Sequence, residues 1–63
     1  MYRIIARLKD RPNGNIVKEI TVYDKLSYEQ ARYRYTKEYD DLEARYEKRY
    51  SQLRTTIHIV PVE

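Results

Sequence analysis

A short turn signal, Pro12-Asn13-Gly14, constrains the fold of this chain more than any other feature. Proline fixes one backbone φ angle, and Asn-Gly supplies the positive φ that a tight chain reversal requires. Before the turn, residues 2–9 alternate apolar and polar side chains, and after it residues 16–23 are rich in β-branched and aromatic types. Both patterns are typical of strands. The sequence therefore predicts a β-hairpin.

A long helix should follow the hairpin. Ser27 and Gln30 have the spacing of a capping box, which makes Tyr28 the first helical residue. No Gly or Pro interrupts the chain from there to Leu53. Tyrosine and apolar side chains recur at steps of three or four, the period of a buried helical face. This stripe consists of Tyr28, Ala31, Tyr35, Tyr39, Leu42, Tyr46, Tyr50 and Leu53. We expect one helix over residues 28–53.

A closing strand completes the predicted fold. Residues 55–60 are strand-forming, and Pro61 ends or borders the strand because it has no N–H donor. The simplest return places strand three antiparallel to strand one and gives the order 2-1-3. The alternative order 1-2-3 requires a parallel pairing, which suits so small a crossover less well. We predict a single small α+β domain over residues 1–63, with a ββαβ order, a three-stranded antiparallel sheet and the helix packed on one face.

The predicted helix is longer than the predicted sheet. A helix over 28–53 would be about 39 Å long, whereas an eight-residue strand reaches about 26 Å. Either the helix breaks near Asp40-Asp41, or its end projects beyond the sheet. We favour projection because Asp interrupts a helix much less than Gly or Pro does. Tyr46, Tyr50 and Leu53 would then contact something other than the chain's own sheet.

The side of the sheet away from the helix is expected to be rather apolar. Strict alternation sends Ile5, Val17, Tyr23 and Val60 to this side. Apolar patches rimmed by charge are typical of contact surfaces, and Tyr33, which lies off the helical stripe, is a further candidate for an exposed contact. The candidate contacts with a partner protein or a second copy are therefore Ile5, Val17, Tyr23, Tyr33, Tyr46, Tyr50 and Val60.

Self-association is the expected way to stabilise so short a chain. Domains of this size bury about 60% of their unfolded surface and are marginally stable. Disulfides are excluded because the sequence has no cysteine, and its single histidine argues against a structural metal site. We therefore expect a homodimer. The lack of cysteine also favours a cytoplasmic location, and no apolar run is long enough to span a membrane.

The sequence offers no convincing catalytic, cofactor or metal site. His58 is the only imidazole and lies between isoleucines in a predicted strand. Asp40 and Asp41 are adjacent, so on a helix they point about 100° apart, which does not suit a shared metal ion or acid/base pair. A single glycine excludes a glycine-rich phosphate loop. We expect no enzyme activity, no cofactor and no metal.

Two functions remain open. The first is a small, non-catalytic protein-interaction or accessory module that forms homodimers. The alternative is weak nucleic-acid binding by the basic hairpin, with phosphate contacts from its cations and base stacking on Tyr23. The candidate phosphate contacts are Arg3, Arg7, Lys9, Arg11 and Lys18. A net charge of only +3 makes this electrostatic signal a weak one.

Overall fold

A computed structural model describes residues 1–62 of the chain. The elements in chain order are β1 (Tyr2–Asp10), β2 (Ile16–Leu26), α1 (Tyr28–Arg49) and β3 (Leu53–Pro61). Strand β1 is central and pairs antiparallel with both neighbours, so the strand order is β2-β1-β3. Helix α1 packs on one face of the sheet, mainly over β3 and β1. The predicted α+β fold, its element order and its strand order are confirmed.

The hairpin turn closes where the Asn-Gly pair predicts. The Asp10 N–H donates to the Asn15 carbonyl over 2.9 Å, and the Gly14 N–H donates to the Asp10 carbonyl over 2.7 Å. Gly14 has a φ of 71°, which is in the left-handed region. A Cβ atom at this position would meet nothing within 4 Å. Glycine is therefore required here for its backbone conformation, and not for lack of space.

Helix α1 begins where the capping box predicts and ends earlier than expected. The Ser27 Oγ accepts from the Gln30 N–H over 3.1 Å, and the Gln30 Oε1 accepts from the Ser27 N–H over 2.9 Å. The last helical residue is Arg49, so the predicted end at Leu53 is wrong. Leu53 instead pairs with Asp10 as the first residue of β3. The apolar side chain of Leu53 fits the helical spacing and the strand pattern equally well, and pairing with β1 places it in the strand.

The expected projection of the helix is also wrong. The helix is continuous through Asp40-Asp41, and its 22 residues give a length of about 33 Å. Strand β1, with nine residues, is about 30 Å long, so the two lengths match. Tyr46 packs against the core of its own domain. Neither of the alternatives drawn from the predicted lengths is found.

The core lies between α1 and the facing side of the sheet. Ile4, Ala6, Leu26, Ala31, Leu42 and Ile57 form its buried cluster. Tyrosines surround this cluster, and Tyr35 and Tyr39 meet edge to face with ring centroids 5.2 Å apart. Thr55 is 1% exposed on the same side, and its Oγ1 has no hydrogen-bond partner among the described residues. The hydroxyl of Thr55 is thus a polar atom inside an apolar layer.

Strand β2 departs from strict alternation at three places. The pairing with β1 shifts between Tyr2 and Ile4, between Ile4 and Ile5, and between Leu8 and Lys9. At each shift β2 contains one residue more than β1, which is the definition of a β-bulge. Lys25, at the first of these shifts, has a φ of 56°. Each bulge changes which face the following β2 residues occupy.

The β-bulges of β2 change the position of Tyr23. Its predicted position on the outer side of the sheet is wrong. Ile4 pairs with Tyr23 and Ile5 pairs with Thr21, so Val22 is the extra residue. The bulge turns Tyr23 toward the helix, where its hydroxyl donates to the Glu38 Oε1 over 2.6 Å. This hydrogen bond to a carboxylate raises the pKa of Tyr23, and burial adds to the effect. Tyr23 is thus a helix-facing residue.

Replacing Thr55 by Val is predicted to stabilise the protein. The change removes an unpartnered buried hydroxyl, whose desolvation costs about 1–3 kcal/mol, and keeps the β-branched shape. We expect the free energy of unfolding in urea to rise by about 1 kcal/mol. The matched control is Thr21→Val on an exposed strand position, which should change stability by less than about 0.5 kcal/mol. A loss of stability in Thr55→Val would show that the hydroxyl is satisfied in solution.

Candidate functional site

The side of the sheet that faces away from α1 is uncovered, and we call it the open face. Alternate residues of β1 and their register partners on β2 and β3 form it. Its members are Arg3, Ile5, Arg7, Lys9, Ile16, Glu19, Thr21, Asp24, Arg54, Thr56, His58 and Val60. Cations, hydroxyls and an imidazole predominate, so this face is more polar than the alternation pattern alone predicts.

The net charge of the protein lies on the sheet and its turns. Helix α1 carries six basic side chains, Arg32, Arg34, Lys37, Arg45, Lys48 and Arg49, and six acidic ones, Glu29, Glu38, Asp40, Asp41, Glu43 and Glu47. The helix is therefore neutral, and the whole net charge of +3 belongs to the rest of the chain. On the open face, four cations stand against two carboxylates.

Two of the four cations are held in ion pairs. Arg3 binds Asp24 through two hydrogen bonds, with Nε to Oδ1 at 3.1 Å and Nη2 to Oδ2 at 3.0 Å. This pair raises the pKa of Arg3 and lowers the pKa of Asp24. Arg7 binds Glu19 through Nε alone, at 2.7 Å. The remaining N–H groups of Arg7 are thus available for another acceptor.

The other cations gather at the turn end of the sheet. Lys9 and Arg54 are direct neighbours in the pairing of β1 with β3, and Arg11 reaches the same corner, where its Nη2 donates to the Leu53 carbonyl over 3.4 Å. We call Lys9, Arg11 and Arg54 the basic corner. None of the three has a carboxylate within 4.0 Å in the described residues. They line a shallow depression of about 330 Å³ together with Asp10, Gly14 and Thr56.

His58 is the imidazole of the open face. Its Nε2 lies 2.8 Å from the Thr56 Oγ1 on the same strand. Burial lowers the pKa of His58, and the charges of Arg7 and Lys9 lower it further. The imidazole is therefore neutral at pH 7. A neutral His58 and the Thr56 hydroxyl give this part of the face hydrogen-bonding groups that carry no charge.

Of the five predicted phosphate contacts, the structure brings four to one side of the protein. Arg3, Arg7 and Lys9 follow one another on the open face, and Arg11 adjoins them at the turn. Lys18 lies apart because it pairs with Leu8, a helix-facing residue. The Nζ of Lys18 is 5.6 Å from the centroid of the Tyr50 ring. Lys18 is thus engaged on the helix side of the sheet.

The predicted protein contacts do not form one surface. Ile5 is on the open face between Arg3 and Arg7, but it is only 6% exposed. The others are distributed over the molecule. Two of them are exposed: Val17, 60% exposed at a bulge of β2, and Tyr33, 63% exposed on the helix. Three are half-buried: Tyr46 and Tyr50 near the end of the helix, and Val60 opposite Arg3. Tyr23 faces the helix.

Arg54 is the residue of the basic corner that sequence reasoning missed. It lies 45 positions after Lys9, and only the pairing of β3 with β1 makes the two neighbours. The predicted strand order 2-1-3 already implied that β3 pairs with β1. Counting register back from Pro61 would have placed Arg54 beside the hairpin turn.

Other kinds of site are not formed by the described residues. Within residues 1–62, no three His, Cys, Asp or Glu side chains are grouped so that they could hold a metal ion. Helix α1 does not combine the length and the apolarity that a membrane-spanning helix requires. Comparisons with protein-family models, with curated proteins and with solved structures found no match to this chain.

The pKa of His58 tests the electrostatics of the open face. An NMR titration of its ring protons should give a pKa below the ordinary value of about 6.5, and Lys9→Gln should raise it because a nearby positive charge is removed. Since the folded-state pKa is depressed, stability is full above about pH 6.5 and falls as pH drops below it. His58→Gln should lack this loss. A His58 pKa that is insensitive to Lys9→Gln would contradict a positive face.

Proposed function

We propose that this chain is a small, non-catalytic nucleic-acid-binding module that holds the phosphate backbone on the open face of its sheet. The observation that carries the proposal is the basic corner, where Lys9 and Arg11 of the hairpin meet Arg54 of β3. None of the three has a carboxylate within 4.0 Å among residues 1–62. Clustered cations on one surface are the electrostatic requirement for phosphate binding.

The shape of the open face supports this proposal. Neighbouring strands are about 4.8 Å apart, so the three strands span about 10 Å. The protein is only 13 Å thick, and α1 covers the opposite side. A flat, uncovered sheet with basic and hydroxyl side chains can therefore approach a duplex closely.

The ion pairs on this face provide further phosphate contacts. Exposed ion pairs contribute only about 0.2–1 kcal/mol each, so a phosphate can replace Glu19 as the partner of Arg7 at small cost. Arg3, whose guanidinium is held through two hydrogen bonds by Asp24, is less available. The open face therefore offers Arg7 in addition to the basic corner, which makes four contacts.

Four phosphate contacts place the affinity in a modest range. Sequence-independent binding of this kind has dissociation constants of about 10⁻⁴ to 10⁻⁶ M at physiological salt. The protein would bind the phosphate backbone without reading the base sequence.

We also propose a cytoplasmic location, which the cysteine-free sequence favours and where nucleic acid is accessible.

Salt dependence of binding to a fluorescent 20-base-pair DNA duplex of mixed sequence provides the test. For four contacts, the logarithm of the association constant should fall with the logarithm of salt concentration at a slope of about −3.6. The double variant Lys9→Ala, Arg54→Ala should reduce the slope to about −1.8 and weaken binding about 10- to 100-fold near 0.1 M salt.

The matched control removes two exposed cations from the helix, Lys37→Ala and Arg45→Ala. This variant has the same net charge as the corner variant, so it separates a local site from a general charge effect. Its slope should stay near that of the unmodified protein. Equal losses in the two double variants, or an affinity that does not change with salt, would contradict the proposal.

A further inference from the structure

Strand β3 has a free edge that is unusually regular. It pairs with β1 over nine consecutive residues, from Leu53 to Pro61, without a register shift. Since β3 is an outer strand, every second residue directs its N–H and C=O groups away from β1. Within residues 1–62 no other strand pairs with this edge. The edge can therefore accept an additional strand.

The other outer strand is protected against such pairing. Strand β2 contains three register shifts and a residue with positive φ, Lys25. It also carries charges at Lys18, Glu19 and Asp24. Bulges and charged side chains are the usual protection of sheet edges. Strand β3 has one charged residue, Arg54, and Pro61 only at its end, so it is the edge suited to pairing.

The sequence of β3 is compatible with antiparallel pairing to itself. Pairing all nine residues puts Ile57 on the two-fold axis, because positions 53 and 61 are equidistant from it. Thr56 then lies opposite the partner's His58, and Arg54 lies opposite the partner's Val60. No like charges face each other, and hydroxyl and neutral imidazole groups are directly opposed. Cross-strand pairs of this kind contribute about 0.2–1 kcal/mol each.

A depression next to the same edge provides room for side chains of the second copy. It lies on the helix side, has a volume of about 660 Å³ and is lined by Tyr2, Tyr28, Arg32, Tyr35, Thr36 and Ile59. Tyr28 is 52% exposed there, and its ring centroid is 5.3 Å from that of Tyr2. In the full register the partner's Leu53 lies opposite Pro61, which pairs with Tyr2. An apolar side chain thus lies at an aromatic depression, twice per dimer.

A single copy exposes slightly more surface than its size predicts. A monomer of 7.8 kDa is expected to expose about 4,400 Å², whereas this chain exposes 4737 Å². The excess reflects a flat shape with extents of 34 × 23 × 13 Å. Extending the sheet sideways would keep it thin while it covers an edge and the adjoining depression of each copy.

From these features we infer that two copies of the chain pair through β3, antiparallel and centred on Ile57, to form a continuous six-stranded sheet. The strand order is β2-β1-β3 followed by β3-β1-β2 of the partner. Because directly opposed residues share a face, both open faces lie on the same side of the dimer. The inference does not depend on nucleic-acid binding, and its test contains no nucleic acid.

Sedimentation velocity of the unmodified protein, from low to high micromolar concentration, should show a monomer and dimer in equilibrium. The register is tested by cysteine cross-linking, which the cysteine-free sequence makes unambiguous. Thr56→Cys and ¹⁵N-labelled His58→Cys are mixed under oxidised glutathione, and mass spectrometry distinguishes mixed from like pairs. Directly opposed residues can form a disulfide, whereas two copies of the same variant place the two cysteines at diagonal positions, whose backbones are about 7–8 Å apart.

The mixed disulfide should form at least about tenfold faster than the collision control, because pairing raises the local thiol concentration to the millimolar range. It should also form faster than either like pair, because only the mixed pair places the two cysteines directly opposite each other. Lys37→Cys on the exposed helix surface measures the rate of random collision. Circular dichroism checks that each variant is folded. A protein that stays monomeric at high micromolar concentration, or a dimer whose mixed pair links no faster than the collision control, would overturn the inference.

Discussion

The rest of this structure depends on the double pairing of β1. In this central strand the residues that face the helix are apolar, whereas Arg3, Arg7 and Lys9 face away from it together with Ile5. A one-residue slip of its register would put Arg7 and Lys9 into the core and expose Ile4 and Leu8. Burial of a cation without a partner costs far more than any single contact in so small a domain contributes. The same constraint that fixes the core thus fixes a row of positive charge on the open face.

Most of the fold could be predicted because its signals are local. The Asn13-Gly14 turn, the capping box at Ser27 and the two-residue period of β1 each act within a few residues. The end of the helix was not predictable in this way, since Leu53 satisfies the helical spacing as well as the strand pattern. Leu53 could extend the helix or pair with Asp10 in the sheet, and tertiary contacts decide in favour of the sheet.

The candidate site shows the same division. The cations of the hairpin were predicted because they are close in sequence, and four of the five lie on one side of the protein. Tyr23 was predicted on the wrong side because the bulge at Val22 breaks the alternation of strand residues. Glycine often indicates a bulge, but the sequence has none at this position. Arg54 was missed because it joins the corner only through the long-range pairing of β3. Local patterns therefore predict which residues are available, and register determines which ones meet.

The two proposals describe one geometry at different scales. A single open face offers a basic corner at its turn end, and a dimer paired through β3 offers two such corners on one side. In the register centred on Ile57, the two Arg54 residues are six positions apart along the paired strands, or about 20 Å. Two weak sites held at a fixed distance bind one long polyanion more tightly than either alone. Dimerisation would then compensate for the small net charge of a single chain.

The claim that nucleic acid binds on the open face is tested most directly by mapping amide chemical shifts during titration with a DNA duplex. The account predicts that the perturbed amides lie on β1 and β3 around Lys9, Arg54 and Thr56 and in the hairpin turn, while the exposed side of α1 around Lys37 stays unchanged. Perturbations that concentrate on the helix, or that spread evenly over the molecule, would contradict it.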